Sequence, residues 1–176
     1  MMNADGGREM KREQWIKMTE RTRAFAARGA WARALLDAPA CLCAALYIAA
    51  GAWLLLTRDA RCVRFVLVPA VTFVLATIVR RAINRTRPYD ALDFEPVGVA
   101  RRGKGLSMPS RHTASAAAIA LAFAYAFPRP AVFALTAALC ALVAISRVVK
   151  GVHYPSDVLA ALAFSVICAW IGYGCI

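Results

Sequence analysis

Five stretches of this chain carry no charged residue: 38–56, 65–79, 113–127, 131–145 and 158–176. A helix that crosses the hydrocarbon core of a bilayer needs roughly 20 apolar residues. The first and last runs meet that length alone. The middle three reach it with flanking residues that extend the helix or snorkel, as Arg64 can. The same runs could be buried core helices of a soluble protein. Five of them in 176 residues, 61% hydrophobic with mean hydropathy +0.55, leave too little polar surface for that. The pattern predicts an all-α, polytopic transmembrane helix bundle of about five spans, near 36–56, 62–83, 111–127, 130–147 and 155–175, in the cell membrane. Residues 1–31 form a basic N-terminal segment. Residues 32–176 form one transmembrane domain.

The net charge of +12 raises nucleic-acid binding as a function, but no DNA- or RNA-binding motif is present. In a membrane protein such charge serves anionic headgroups, topology or a phosphate site. The six cysteines, Cys41, Cys43, Cys62, Cys140, Cys168 and Cys175, lack metal-ligand spacing and read as small apolar residues. The charged stretch before the first run is too long for a removable signal peptide. Residues 8–18 can form a helix with Trp15, Ile16, Met18 and Phe25 on an interfacial face, or can remain a loose tail. The long connection, 84–110, is rich in proline and glycine and reads as a loop with an apolar segment dipping around 92–99. Pro128-Arg129-Pro130 is a tight turn. The alanine-rich third and fourth spans suit close packing in lipid.

With five spans, the end of the second, the start of the third, the end of the fourth and the start of the fifth share one membrane face. The only histidines, His112 and His153, lie there with Asp157, the only acidic residue after Glu95. Ionisable groups at such positions are costly and point to function. His153 and Asp157 are four residues apart, so they can meet on one side of a helix that starts at Pro155. A carboxylate on one ring nitrogen would leave the other free as a nucleophile. The bland alternative is a capping aspartate beside an interfacial histidine. His112 opens the third span just after Pro109 and Ser110. A helix N-terminus favours anions, and His112 there can protonate a departing oxygen. The bland alternative makes Ser110 an N-cap. Arg80, Arg87, Arg111 and Arg147 share this face. Arg80 and Arg87, seven apart, lie on one helix side if the helix continues that far. Converging guanidinium groups can balance a transferring phosphoryl group without a metal.

Three motifs in order resemble the signature of the type 2 phosphatidic acid phosphatase (PAP2) superfamily: K-x6-R-P, P-S-G-H and S-R-x5-H-x3-D. Here they read Arg80-x6-Arg87-Pro88, Pro109-Ser110-Arg111-His112 and Ser146-Arg147-x5-His153-x3-Asp157. That family includes lipid phosphate phosphatases and undecaprenyl-diphosphate phosphatases and is related to vanadium haloperoxidases. The resemblance implies a lipid phosphatase in which His153 takes the phosphoryl group, Asp157 orients it and His112 protonates the leaving group. Arg80, Arg87, Ser110, Arg147 and the backbone N–H of Arg111 would hold the phosphate. It implies no cofactor and no metal. Two positions depart from the signature. Arg80 replaces lysine. Arg111 replaces a glycine that could adopt positive φ, which arginine does only at a cost; it adds a cation suited to a diphosphate or a second anionic group. Many members of the family have six spans, against five here.

The implied substrate is a phospholipid or polyprenyl phosphate in the bilayer, with oligomeric state unread. A phosphoryl transferase using an acceptor other than water, or a non-catalytic lipid-headgroup binder, would share these motifs. Of the 22 basic residues, all but Arg58, Arg61, Arg64 and Arg129 fall on the site's face. The positive-inside rule assigns that face to the cytoplasm, whereas family members that recycle lipid carriers work on the outer face.

Overall fold

The structure, a computed structural model, describes residues 4–98 and 105–174, with side chains described from residue 12. Val99 of the expected dipping segment, the basic residues 101, 102 and 104, and Cys175 lie outside these. The described residues form seven helices: α1 (Ala4–Ala26), α2 (Ala30–Leu56), α3 (Arg61–Ile83), α4 (Pro88–Ala91, a single turn), α5 (Arg111–Ala126), α6 (Pro130–Val149) and α7 (Pro155–Tyr173).

Local chemistry sets the breaks. Gly29, at φ 137, separates α1 from α2. Arg58, at φ 52, turns the chain after α2, and the Asp59 carboxylate accepts the Arg61 N–H at 2.9 Å where α3 begins. Asn84 ends α3 in the left-handed region at φ 43, and its side-chain oxygen accepts the Leu106 N–H at 3.2 Å. Pro88, Pro130 and Pro155 each open a helix, where the missing N–H costs nothing.

Four helices are long and apolar enough to cross a membrane: α2, α3, α6 and α7. Their large apolar side chains face outward; Leu56 is 82% and Ile171 71% exposed. Lipid, not water, is the solvent such surfaces suit. The fifth expected span, α5, has 16 residues, a length of ~24 Å at 1.5 Å per residue. It is the central helix, and α3, α6 and α7 pack around it. Ala114, Ala116, Ala117, Ala118, Ala120 and Ala122 are all buried along it. Small side chains let neighbouring backbones approach closely where apolar surface alone gives little driving force.

The N-terminal segment is a docked helix. Trp15 of α1 stacks on Phe94 and meets Tyr154 edge-on, each at 5.9 Å between centroids. Arg12 Nε donates to the Leu92 carbonyl at 2.9 Å, and Arg23 donates to the Glu95 carbonyl at 3.1 Å. The apolar stretch after α4 therefore does not dip toward lipid on its own. Phe94 is buried with Tyr89 and Val152 beneath Trp15 and Ile16, and the Val97 N–H donates to the Lys150 carbonyl at 3.0 Å.

This packing runs directly under the turn that carries His153. Gly151 sits at φ 75, and a Cβ there would lie 2.7 Å from the Phe94 ring and 2.8 Å from the Thr19 methyl. Gly151→Ala is expected to lower the thermal unfolding midpoint in detergent. The left-handed backbone alone costs about 1–2 kcal/mol in an L-residue, and α1 must shift as well. An unchanged midpoint would show that α1 does not bear on this turn.

Candidate active site

The turn 150–154 brings His153 to the end of the bundle. The α6 helix ends at Val149, the Val152 N–H donates to the Arg147 carbonyl at 3.2 Å, and Pro155 starts α7. His153 is 3% exposed. Its Nδ1 lies 3.6 Å from Asp157 Oδ2 and has no hydrogen-bond partner. The contact is close but longer than the hydrogen bond expected from their spacing. The physical reason is competition. The fully buried Asp157 carboxylate already accepts from Arg85 Nη1 at 2.7 Å, Ser107 Oγ at 2.5 Å and the Tyr154 N–H at 2.9 Å. Burial pushes the His153 imidazole below the ordinary histidine range. The Asp157 carboxylate opposes that shift, and Arg87 and Arg80 add to it. That shift favours the neutral imidazole, the form with a free nitrogen lone pair.

His112 comes from the first turn of α5. Ser110 before it is fully buried and extended, at φ −69 and ψ 113. Its N–H donates to the Asp157 backbone carbonyl at 3.2 Å. Its hydroxyl accepts from Thr113 Oγ1 at 3.1 Å and does not cap the helix. The first N–H groups of α5 therefore remain open toward the site. Arg111 takes up helical backbone there and is not among the residues with positive φ, so the strain expected from replacing glycine does not arise. Its guanidinium carbon lies 5.9 Å from the Phe73 ring centre.

The other cations close around the two histidines. Arg80, on the last turn of α3, is 5% exposed. Arg87 does not share a helix face with it, because Asn84 has already ended α3 and Pro88 forces Arg87 to be extended. Arg87 arrives instead through the link 84–87, with its Nε buried and unpartnered and its guanidinium 5.7 Å from the Tyr89 ring centre. Arg147, 7% exposed, donates to Ser146 Oγ and to Asp37 Oδ1, each at 3.2 Å. Arg80, Arg111, Arg147 and His153 are all near enough to His112 to act on it electrostatically, and Arg87 to act on Arg80. The site residues expected from sequence thus converge at one end of the bundle.

Four residues escaped the sequence reading. Arg85 and Ser107 hold the Asp157 carboxylate, and Arg85 also donates to Ser156 Oγ at 2.8 Å and lies 4.3 Å over the Tyr154 ring. Tyr89 is fully buried with its hydroxyl unpartnered. Asp37 receives Arg147 and Lys150 on one oxygen. Only Asp37 left a signal: it is the sole acidic residue between Glu20 and Asp59 and adjoins an apolar run, where a carboxylate is expensive unless paired.

Beside His112 an apolar cleft of about 260 Å³ opens between α2, α3, α5 and α6. Arg111 and His112 stand at its polar end, and Ala40, Cys43, Phe73 and Ile119 line the rest.

Comparison with known proteins follows the same lines. Two curated relatives carry the name lipid A 1-phosphatase. The protein from Rhizobium johnstonii is 34% identical over 101 residues, covering 54% of this chain and 38% of the relative. The protein from Rhizobium etli is 38% identical over 95 residues, covering 51% and 39%. The match thus takes in about two fifths of either relative's length. Two crystal structures share the fold. The PAP2-type phosphatidylglycerolphosphate phosphatase of Bacillus subtilis superposes with a TM-score of 0.69 at 21% identity, over 98% of this chain and 87% of the other. Aquifex aeolicus LpxE gives 0.67 at 22% identity, over 89% and 93%. The family model described as the PAP2 superfamily matches residues 61–176, which contain the whole three-part signature, and this chain belongs to that superfamily.

Proposed function

We propose that this protein is a membrane phosphatase that hydrolyses the phosphomonoester or diphosphate of a lipid through a phosphohistidine. The observation that carries this reading is the gathering of buried His153, His112 and four arginines at one end of the bundle, with His112 at the polar end of an apolar cleft. With Nδ1 turned to Asp157, Nε2 of His153 is free to attack phosphorus. The P–N bond forms as the P–O bond to the lipid breaks, and His112 gives its proton to the departing oxygen. Water then attacks the phosphohistidine and releases phosphate, with His112 taking the water's proton. Arg80, Arg87, Arg147, Ser110 and the open N–H groups of α5 hold the phosphoryl oxygens. The phosphate also supplies the negative charge that lets His112 carry a proton among those arginines.

The cleft suits an acyl or prenyl tail, with Arg111 at its mouth beside the headgroup. Phosphatidyl, polyprenyl and acylated-saccharide phosphates share that chemistry; the names of the Rhizobium relatives speak for the last. The basic helix α1 docks on the site's face, and on that asymmetry we assign the face to the cytoplasm.

In a phosphate-release assay on a lipid panel, His153→Ala should lose at least ~1,000-fold and His112→Ala roughly 100–10,000-fold in kcat, the range of general acid–base catalysis. Arg85→Gln, which loosens Asp157, should cost about 10-fold in kcat with KM little changed. Undiminished release by His153→Ala would remove the mechanism. The chain has two histidines, so NMR titration of His112→Ala isolates the other. Burial and the flanking arginines predict that His153 gains its proton only below roughly 6.5, the ordinary value. A midpoint at or above it would contradict a nucleophile held neutral. A tag at residue 1 should resist external protease in intact cells, and its cleavage would move the site to the outer face.

A further inference from the structure

A second, larger cavity lies next to the histidine site and has no part in the mechanism above. Its volume is about 480 Å³, and Arg23 of α1, Arg33 and Asp37 of α2, Val97, Gly98 and Lys150 line it. Its wall is cationic. Lys150 is 3% exposed, with Nζ 2.5 Å from Asp37 Oδ1. That same oxygen also receives Arg147 at 3.2 Å. One carboxylate oxygen therefore stands between the phosphate cradle and this cavity, and it serves a cation on each side.

One carboxylate compensates one of those two charges. Arg23 and Arg33 add two more cations at the rim. Arg23 is held by its bond to the Glu95 carbonyl at 3.1 Å. The cavity thus has volume for a phosphate or a phosphosugar, cationic donors from α1, α2 and the turn after α6, and an excess of positive charge a short step from the reacting group. Its walls come from α1 and the start of α2, outside the matched residues 61–176, together with the loop 97–98 and Lys150.

We propose that this cavity is a subsite for a second lipid-borne phosphate, distinct from the one hydrolysed. This rests on the reading of the histidine site as a lipid phosphatase. The second phosphate sits either on the substrate itself, whose headgroup then carries two separated phosphates, or on an anionic lipid beside it. Guanidinium and ammonium groups recognise both alike.

Two arms separate these sources, both using the full chain and the double variant Arg23→Gln/Arg33→Gln. In neutral detergent micelles, phosphate release is compared between an acylated disaccharide bearing one phosphate and the same lipid bearing two. In phosphatidylcholine vesicles, release from the one-phosphate lipid is measured with and without phosphatidylglycerol. A subsite for the substrate predicts a lower KM for the two-phosphate lipid, raised about 10-fold in the variant with kcat unchanged, as loss of charge-assisted contacts to phosphate requires. The one-phosphate KM in micelles stays the same. A subsite for a neighbouring lipid predicts activation by phosphatidylglycerol that the variant loses. Arg23→Lys/Arg33→Lys should restore part of either effect, which a purely structural role for these residues would not. Wild type and variant behaving alike in both arms overturns the proposal. If no lipid is hydrolysed at all, the phosphatase reading fails, and the subsite is decided by equilibrium binding. Tighter binding of the two-phosphate lipid, weakened about 10-fold in the variant, supports it; equal binding ends it.

Discussion

The carboxylate of Asp157 is the interaction on which the site depends. It is fully buried at the start of α7 and accepts from Arg85, Ser107 and the Tyr154 N–H, while its backbone carbonyl accepts the Ser110 N–H. An unpaired carboxylate at such depth would cost several kcal/mol. Satisfying it therefore fixes where the link after α3, the loop before α5 and the turn before α7 must meet. The position of His153 relative to His112 follows from this one group, so the same residue that faces His153 also assembles the elements around it.

The charges at this end of the bundle have an opposite character. Arg80, Arg87, Arg111 and Arg147 lie near one another and near two histidines, with Asp157 and Asp37 as the carboxylates that face them. Like charges so placed repel, and several polar groups among them, Arg87 Nε, Tyr89 OH and His153 Nδ1, have no partner. On the proposed reading, a phosphate dianion would relieve both conditions at once. The packing of α5 against α3, α6 and α7 supplies the rigidity that keeps the cations together.

Most of this was legible in the sequence because its causes are local. Charge-free runs gave five of the helices, four of them long and apolar enough to cross a membrane, prolines marked three helix starts, and the spacing of three short motifs picked out His112, His153, Asp157 and the arginines. What was not legible depends on contacts between distant segments. Arg85 and Ser107 meet Asp157 from 72 and 50 residues away, and nothing in their immediate neighbours marks them. The docking of α1 depends on Trp15 finding Phe94 and Tyr154. An amphipathic pattern at that helix fits a lipid surface and a protein surface equally. The end of α3 turned on Asn84 adopting a left-handed backbone, a choice open to asparagine but not dictated by it.

The brevity of α5 has a consequence for how a lipid meets this protein. Its C-terminal end is tied by a three-residue turn to the start of α6, so the two helices begin from a common level at the far face. With 16 residues against 20 in α6, α5 stops ~6 Å sooner. The first turn of α5, which carries Arg111 and His112, is accordingly set back from the end of α6 by about one helical turn. Under the proposed function, a lipid would present its phosphate there while its chains stay in the hydrocarbon. It avoids the ~0.8 kcal/mol per methylene that lifting them into water would require. The depth of the proposed site is in this sense set by helix length as well as by side chains.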